Sequence, residues 1–155
     1  MKKLLFVVFM LGLLLFLARE KPAEEPTNRT TPPTVYVTVG ERLVKEGGAS
    51  EWRQGGVGFT AAYPSLESLA ERMEYVTVSE TQAKCSFTLP PTSVTVSCYQ
   101  YVDGKLIPGE AISLKDDGTL ELLPGKWIYR IYPFWYSAGE DYVGKGILTF
   151  GIDRQ

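Results

Sequence analysis

The stretch KWIYRIYPFWY, Lys126 to Tyr136, decides the fold class. Side chains two apart on a strand share a face. One face then carries Trp127, Tyr129, Ile131, Pro133 and Trp135. The other carries Ile128, Arg130, Tyr132, Phe134 and Tyr136. Arg130 marks the second face as outward, because an ionised side chain is costly to bury. Aromatic and β-branched residues at this density favour a pleated, half-buried surface. Proline cannot donate to a ladder, so a bulge or local break is expected at Pro133. A bulge there would flip the faces beyond it, which bears on Tyr136.

Working outward, Ser93–Tyr101 alternates in the same way. Val94, Val96 and Cys98 point inward, and Tyr99 and Tyr101 point outward. Further strands are expected at Val35–Val39, Tyr75–Val78, Gln82–Leu89, Ala111–Leu114, Thr119–Leu122 and Val143–Ile152. Pro90-Pro91, Asp103-Gly104, Pro108-Gly109, Asp117-Gly118, Pro124-Gly125 and Gly139 separate the later ones. Proline presets φ, and Asp-Gly tolerates positive φ, so these are turns. Seven or eight short strands at this spacing predict an all-β domain of β-sandwich type. Leu66, Leu69, Ala70 and Met73 share a helical face, which predicts one short helix over Pro64–Arg72. Glu41–Gly58 holds five glycines and reads as an irregular loop with Trp52 at its centre.

The first residues differ in kind. Met1-Lys2-Lys3 is basic, and Leu4–Ala18 carries no charge before Arg19-Glu20-Lys21. That is the pattern of a secretory signal peptide. The 15 apolar residues fall short of the roughly 17–25 that span a bilayer as a helix. Phe16 fits a signal-peptidase site poorly, so cleavage and retention as a membrane anchor both stand. In either case the rest of the chain is expected outside the cytoplasm, secreted or membrane-anchored. Residues 19–33, REKPAEEPTNRTTPP, have too few apolar side chains to bury and read as a disordered, solvated linker. The domain is expected over 34–155.

The stretch Leu122-Leu123-Pro124-Gly125-Lys126-Trp127-Ile128-Tyr129 resembles the corner that enters strand F of immunoglobulin-like domains. Trp127 stands where those domains usually have tyrosine. More broadly, 34–153 resembles small uncharacterised extracytoplasmic proteins of Gram-positive bacteria. The resemblance rests on an early Val-x-Val strand (Val35, Val37), a glycine and tryptophan step (Gly48, Trp52), and the late set Gly125, Trp127, Tyr129 and Trp135. It implies an immunoglobulin-like β-sandwich with the short helix in an N-terminal insertion, preceded by the N-terminal apolar helix. It implies a compartment and no catalytic residues. In such a sandwich the two aromatic strands are neighbours, so Tyr99, Tyr101, Tyr132, Phe134 and Tyr136 would share one outer face.

The chain has no histidine. A Ser-His-Asp or Cys-His arrangement and a histidine metal site are therefore absent. No carboxylate pair stands out as catalytic. Asp116-Asp117 and Glu140-Asp141 read as solvated turns, too poor in oxygens to hold calcium. No cofactor and no metal are expected. The formal net charge of −2 and the lack of a basic cluster speak against nucleic acid as a partner. Cys85 and Cys98 both point inward, either as cross-strand neighbours or facing each other across a core. Outside the cytoplasm that makes them a disulfide candidate, with two buried thiols as the alternative.

The aromatics are the strongest functional lead, because a contiguous apolar patch marks a contact surface. The insertion, with Trp52, Phe59, Tyr63, Leu66 and Leu69, is expected to cover at least part of it. The expected function is a non-enzymatic extracytoplasmic interaction module that binds a protein or cell-envelope polymer through this face. The alternative is an accessory or inhibitory subunit that docks on a membrane enzyme or protease through loop 41–58.

Overall fold

The computed structural model describes residues 32–53, 58–137, 139 and 141–155. The expected export segment and all but the last two linker residues lie outside this set. So do residues 54–57 and Glu140. The chain is all-β. Its strands are β1 (Thr34–Val39), β2 (Arg42–Trp52), β3 (Phe59–Thr60), β4 (Tyr75–Val78), β5 (Gln82–Phe87), β6 (Ser93–Val102), β7 (Lys105–Pro108), β8 (Thr119–Glu121), β9 (Gly125–Tyr136), β10 (Tyr142–Gly146) and β11 (Leu148–Arg154). One helix, α1, spans Leu66–Ala70. The Ser65 side chain caps it, accepting from the Ser68 amide at 3.2 Å. No helix among the described residues is long and apolar enough to cross a membrane.

The strands form one mixed sheet in the order β4-β11-β9-β10-β2-β1-β5-β8, with β6 and β7 on the other edge of β9. Strand β4 runs parallel to β11, and the other ladders are antiparallel. The sheet turns on β2. Residues up to Gly48 pair with β1, while Ala49 to Trp52 pair with β10. The two halves then pack against each other. Val35, Val37, Cys85 and Leu120 from one half share a core with Val96, Tyr129, Ile131, Trp135 and Phe150 from the other. Gly47 lies directly against Leu148, which leaves no room for a side chain.

The late strands follow the expected alternation. Along β9, Tyr129, Ile131, Pro133 and Trp135 are buried, while Arg130, Tyr132 and Phe134 are half-buried. The break appears in the neighbour and not in β9. Strand β10 ends at Gly146 and β11 begins at Leu148, while Lys145 still opposes Phe134 and Leu148 still opposes Ile131. Pairing with β6 is unshifted through Pro133. The one shift against β10, between Tyr142 and Gly144, puts its extra residue in β10, so the faces of β9 do not flip and Tyr136 stays on the outer side. Asp103 and Gly104 have φ of 50° and 75°, the paired positive values of a tight two-residue hairpin between β6 and β7.

Other expectations fail as well. The Glu41–Gly58 loop is largely the eleven-residue strand β2, whose polar first half lies at a sheet edge and so lacks alternation. Ala111–Leu114 contributes only isolated bridges at Ile112 and Leu114, whereas Lys105–Pro108 is a full strand. Pro33, assigned to the linker, is buried, and its carbonyl accepts from the Ala49 amide at 3.1 Å. Two hydrogen bonds hold the corner into β9. The Tyr129 hydroxyl accepts from the Leu123 amide at 2.7 Å, and the Trp127 indole donates to the Pro124 carbonyl at 2.9 Å.

A methyl group at Gly144 would sit 2.5 Å from the Glu51 carbonyl oxygen and 2.6 Å from the Trp52 ring. Gly144→Ala is expected to cost about 1–3 kcal/mol through overpacking. Gly139→Ala meets nothing closer than 3.8 Å and is expected to stay within about 0.5 kcal/mol. Urea unfolding of both variants checks the contrast.

Candidate functional site

Strands β6 and β9 are antiparallel neighbours, with Thr95 opposite Tyr132, Ser93 opposite Phe134 and Tyr99 opposite Ile128. The five aromatics therefore share the outer face. Tyr99, Tyr101, Tyr132 and Phe134 are half-buried, and Tyr136 is 40% exposed. Burial raises the Tyr132 pKa, an effect that Arg130 opposes and Tyr99 reinforces. The ring of Tyr132 lies 5.3 Å from the Arg130 guanidinium carbon.

The insertion covers one end of this face. Ile128 points outward along β9 yet is wholly buried. Met73, just past α1, packs on Gly151, the residue beside Ile128 on β11. The Tyr63 hydroxyl donates to the Ile147 carbonyl, and Ala70 is buried. Cover is thus complete at Ile128 and partial towards Tyr132, Phe134 and Tyr136.

Trp52 does not belong to the site. It is fully buried and meets Trp135 edge to face, with centroids 5.8 Å apart and planes at 76°. As the last residue of β2 it points into the core, away from any surface a second molecule could contact. A loop contact centred on Trp52 has no surface to act through.

The open end of the face carries residues that periodicity does not mark. Glu51, only 7% exposed, pairs with Arg53 at 2.6 Å and Lys145 at 3.4 Å. Arg53 lies over the Tyr142 ring at 5.3 Å, and Tyr142 meets Tyr136 edge to face at 5.9 Å. Burial works to raise the Glu51 pKa. The Tyr142 hydroxyl beside it, the contact to Lys145 and the charge of Arg53 outweigh that and hold it below 4.5. Tyr142 is pushed up to about 12, first by burial and then by the Glu51 carboxylate. Glu51 and Lys145 come together because they are opposed residues on β2 and β10, a pairing invisible to local pattern.

Cys85 and Cys98 are buried and free, and no bond joins them. Cys85 lies on β5 and Cys98 on β6, in opposite halves of the sheet, so the 88–92 connection passes between halves. Of the two expected geometries this is the one across the core. The disulfide expected from compartment is not formed. Burial pushes the Cys85 thiol up to about 12 and raises Cys98 as well, so neither is a thiolate nucleophile at neutral pH. Asp117 binds the Thr119 amide at 2.9 Å and Lys84 at 3.3 Å, which is the work of a turn residue. Among the described residues no three ligands group to hold a metal.

No protein family, curated protein or solved structure matches this chain.

A carboxylate whose folded pKa is lowered stabilises the fold above its unfolded value and loses that contribution as pH falls through the folded one. For Glu51 the loss sets in below pH 4.5. Glu51→Gln is expected to be less stable than the parent at pH 7, with the gap closing as pH drops below that value. Denaturant titrations from pH 7 down to the acid limb measure the gap. A gap independent of pH would separate Glu51 from this network.

Proposed function

We propose that the chain is a non-enzymatic, extracytoplasmic interaction module that binds a protein or cell-envelope polymer through the outer face of β6 and β9. One observation carries the reading. Five aromatic side chains line this face without being closed over, while Val96, Cys98, Tyr129, Ile131 and Trp135 on the opposite face of the same two strands are buried. Aromatics that present area at a surface are the usual anchors of a contact. Arg53, Lys145 and Glu51 form a polar rim beside Tyr136 and Tyr142, as contact patches commonly have. The sequence supports the location: a basic start, an apolar run to Ala18 and a proline-rich spacer precede the domain.

The proposed fold is an immunoglobulin-like sandwich with β2, β3 and α1 as an insertion. Its support is the pairing pattern. Strand β1 pairs with β5 and β5 with β8, as strands A, B and E do. Strand β6 pairs with β9, and β9 with β10 and β11, as C, F and G do. The bond from the Leu123 amide to the Tyr129 hydroxyl lies where such domains place a tyrosine corner. Tyr129 makes it, two residues later than Trp127.

Replacing Tyr132 and Phe134 together with serine tests the reading on the full chain. Crosslinking pull-down from membranes and envelope, read by mass spectrometry, is expected to lose a specific partner in the double variant. The variant is expected to keep a cooperative melt. A loss above about 3 kcal/mol, the cost of deleting a core aromatic, would mark the pair as structural. The N-terminal peptide recovered in the same experiment shows whether the apolar segment is cut.

A further inference from the structure

We infer that Arg130 and Thr149 form a binding site for a single oxyanion group, a phosphate or a carboxylate. They are directly opposed residues of β9 and β11 on the outer face, so their side chains stand roughly 5 Å apart at the base. The Arg130 Nε and the Thr149 hydroxyl are both buried, and neither has a hydrogen-bond partner among the described residues. Thr149 is only 9% exposed. Arg130 forms no ion pair among the described residues; its guanidinium carbon lies 5.3 Å from the ring of Tyr132. Ser97 opposes Arg130 from the other side and brings another hydroxyl to the row.

Leaving such groups unsatisfied is costly, most of all for a charge. Arg130 is half-buried, so solvent reaches part of the guanidinium, but its Nε and the Thr149 hydroxyl are closed to it. The donor set is a planar guanidinium flanked by hydroxyls, which matches an acceptor-only, negatively charged group. The ring of Tyr132 bounds the space on one side. The Tyr63 hydroxyl, on the Ile147 carbonyl, is near enough for the Arg130 charge to act on it. The site lies under the edge of the insertion, where the aromatic face begins to open. Its occupant is therefore one small anionic group, free or at the end of a larger molecule. This goes beyond the proposed contact face and holds whether or not the aromatics meet a partner.

The test is the melting temperature of the full chain in nonionic detergent. Sodium phosphate and sodium acetate each replace sodium chloride at fixed ionic strength. The wild type is expected to melt higher with one or both oxyanions, along a saturable curve set by mass action. The larger shift tells phosphate from carboxylate. Thr149→Val is expected to weaken the apparent affinity about tenfold, as loss of one hydrogen bond to a charged group does. Arg130→Met keeps the apolar stem; it is expected to abolish the shift and to melt in chloride no lower than the wild type. If Arg130→Met does not fold, the Thr149→Val curve decides. Equal melting of the wild type in all three salts, or an undiminished shift in either variant, overturns the site.

Discussion

Strand β2 is paired along its first half with β1 and along its last residues with β10. Among the described residues no other strand is paired with both halves of the sheet in this way. The hand-over falls at Gly47–Ala49, where the backbone of β2 lies flat against Leu148. Trp52 then turns into the interior and meets Trp135 edge to face, a favourable arrangement of two ring quadrupoles. The two largest side chains of the core are thereby brought together from strands far apart in the chain. Gly144 leaves the gap that the Trp52 ring fills.

That core determines what is left for the surface. Strand β9 is long and aromatic on both faces, and only one of them can line the interior. The inner side chains from Tyr129 to Trp135 are buried, and Trp127 at the start of the strand is partly so. The outer ones need either cover or a reason to stay open. The insertion supplies cover at Ile128 through Met73 over Gly151, and Tyr63 reaches the Ile147 carbonyl farther along, next to the residue opposed to Ile131. It stops short of Tyr136, where Arg53 and Lys145 gather around Glu51. The outer face is thus graded from apolar and closed at Ile128, through Arg130, to aromatic and ionic at Tyr136 and Tyr142.

The polar groups on this face differ in how well they are matched. Glu51 has two cations and a neighbouring phenol, and its charge is compensated. Arg130 has a ring and no anion. The sheet surface has a compensated carboxylate at one end and, near the middle, a guanidinium whose Nε is buried without a partner. Completion from outside the chain is the simplest way to balance it.

Alternation determined that the chain is all-β and which side chains of β6 and β9 point outward, and turn chemistry marked Asp103-Gly104 as a turn. These features are local: a period of two and a two-residue turn are written in neighbouring positions. The absence of histidine likewise excludes whole classes of chemistry without any coordinates. Tertiary structure decided the rest. Strand β2 is polar along an edge and glycine-rich at its bend, so no periodicity marks it, and Trp52 passed for a loop residue. The two cysteines lie in opposite halves and stay unbonded, which compartment and facing direction do not reveal. Glu51 meets Lys145, and Thr149 meets Arg130, through ladders between strands distant in sequence. Pairing of that kind is set by which edges remain free when the halves close over a shared core, and no window of sequence contains that information.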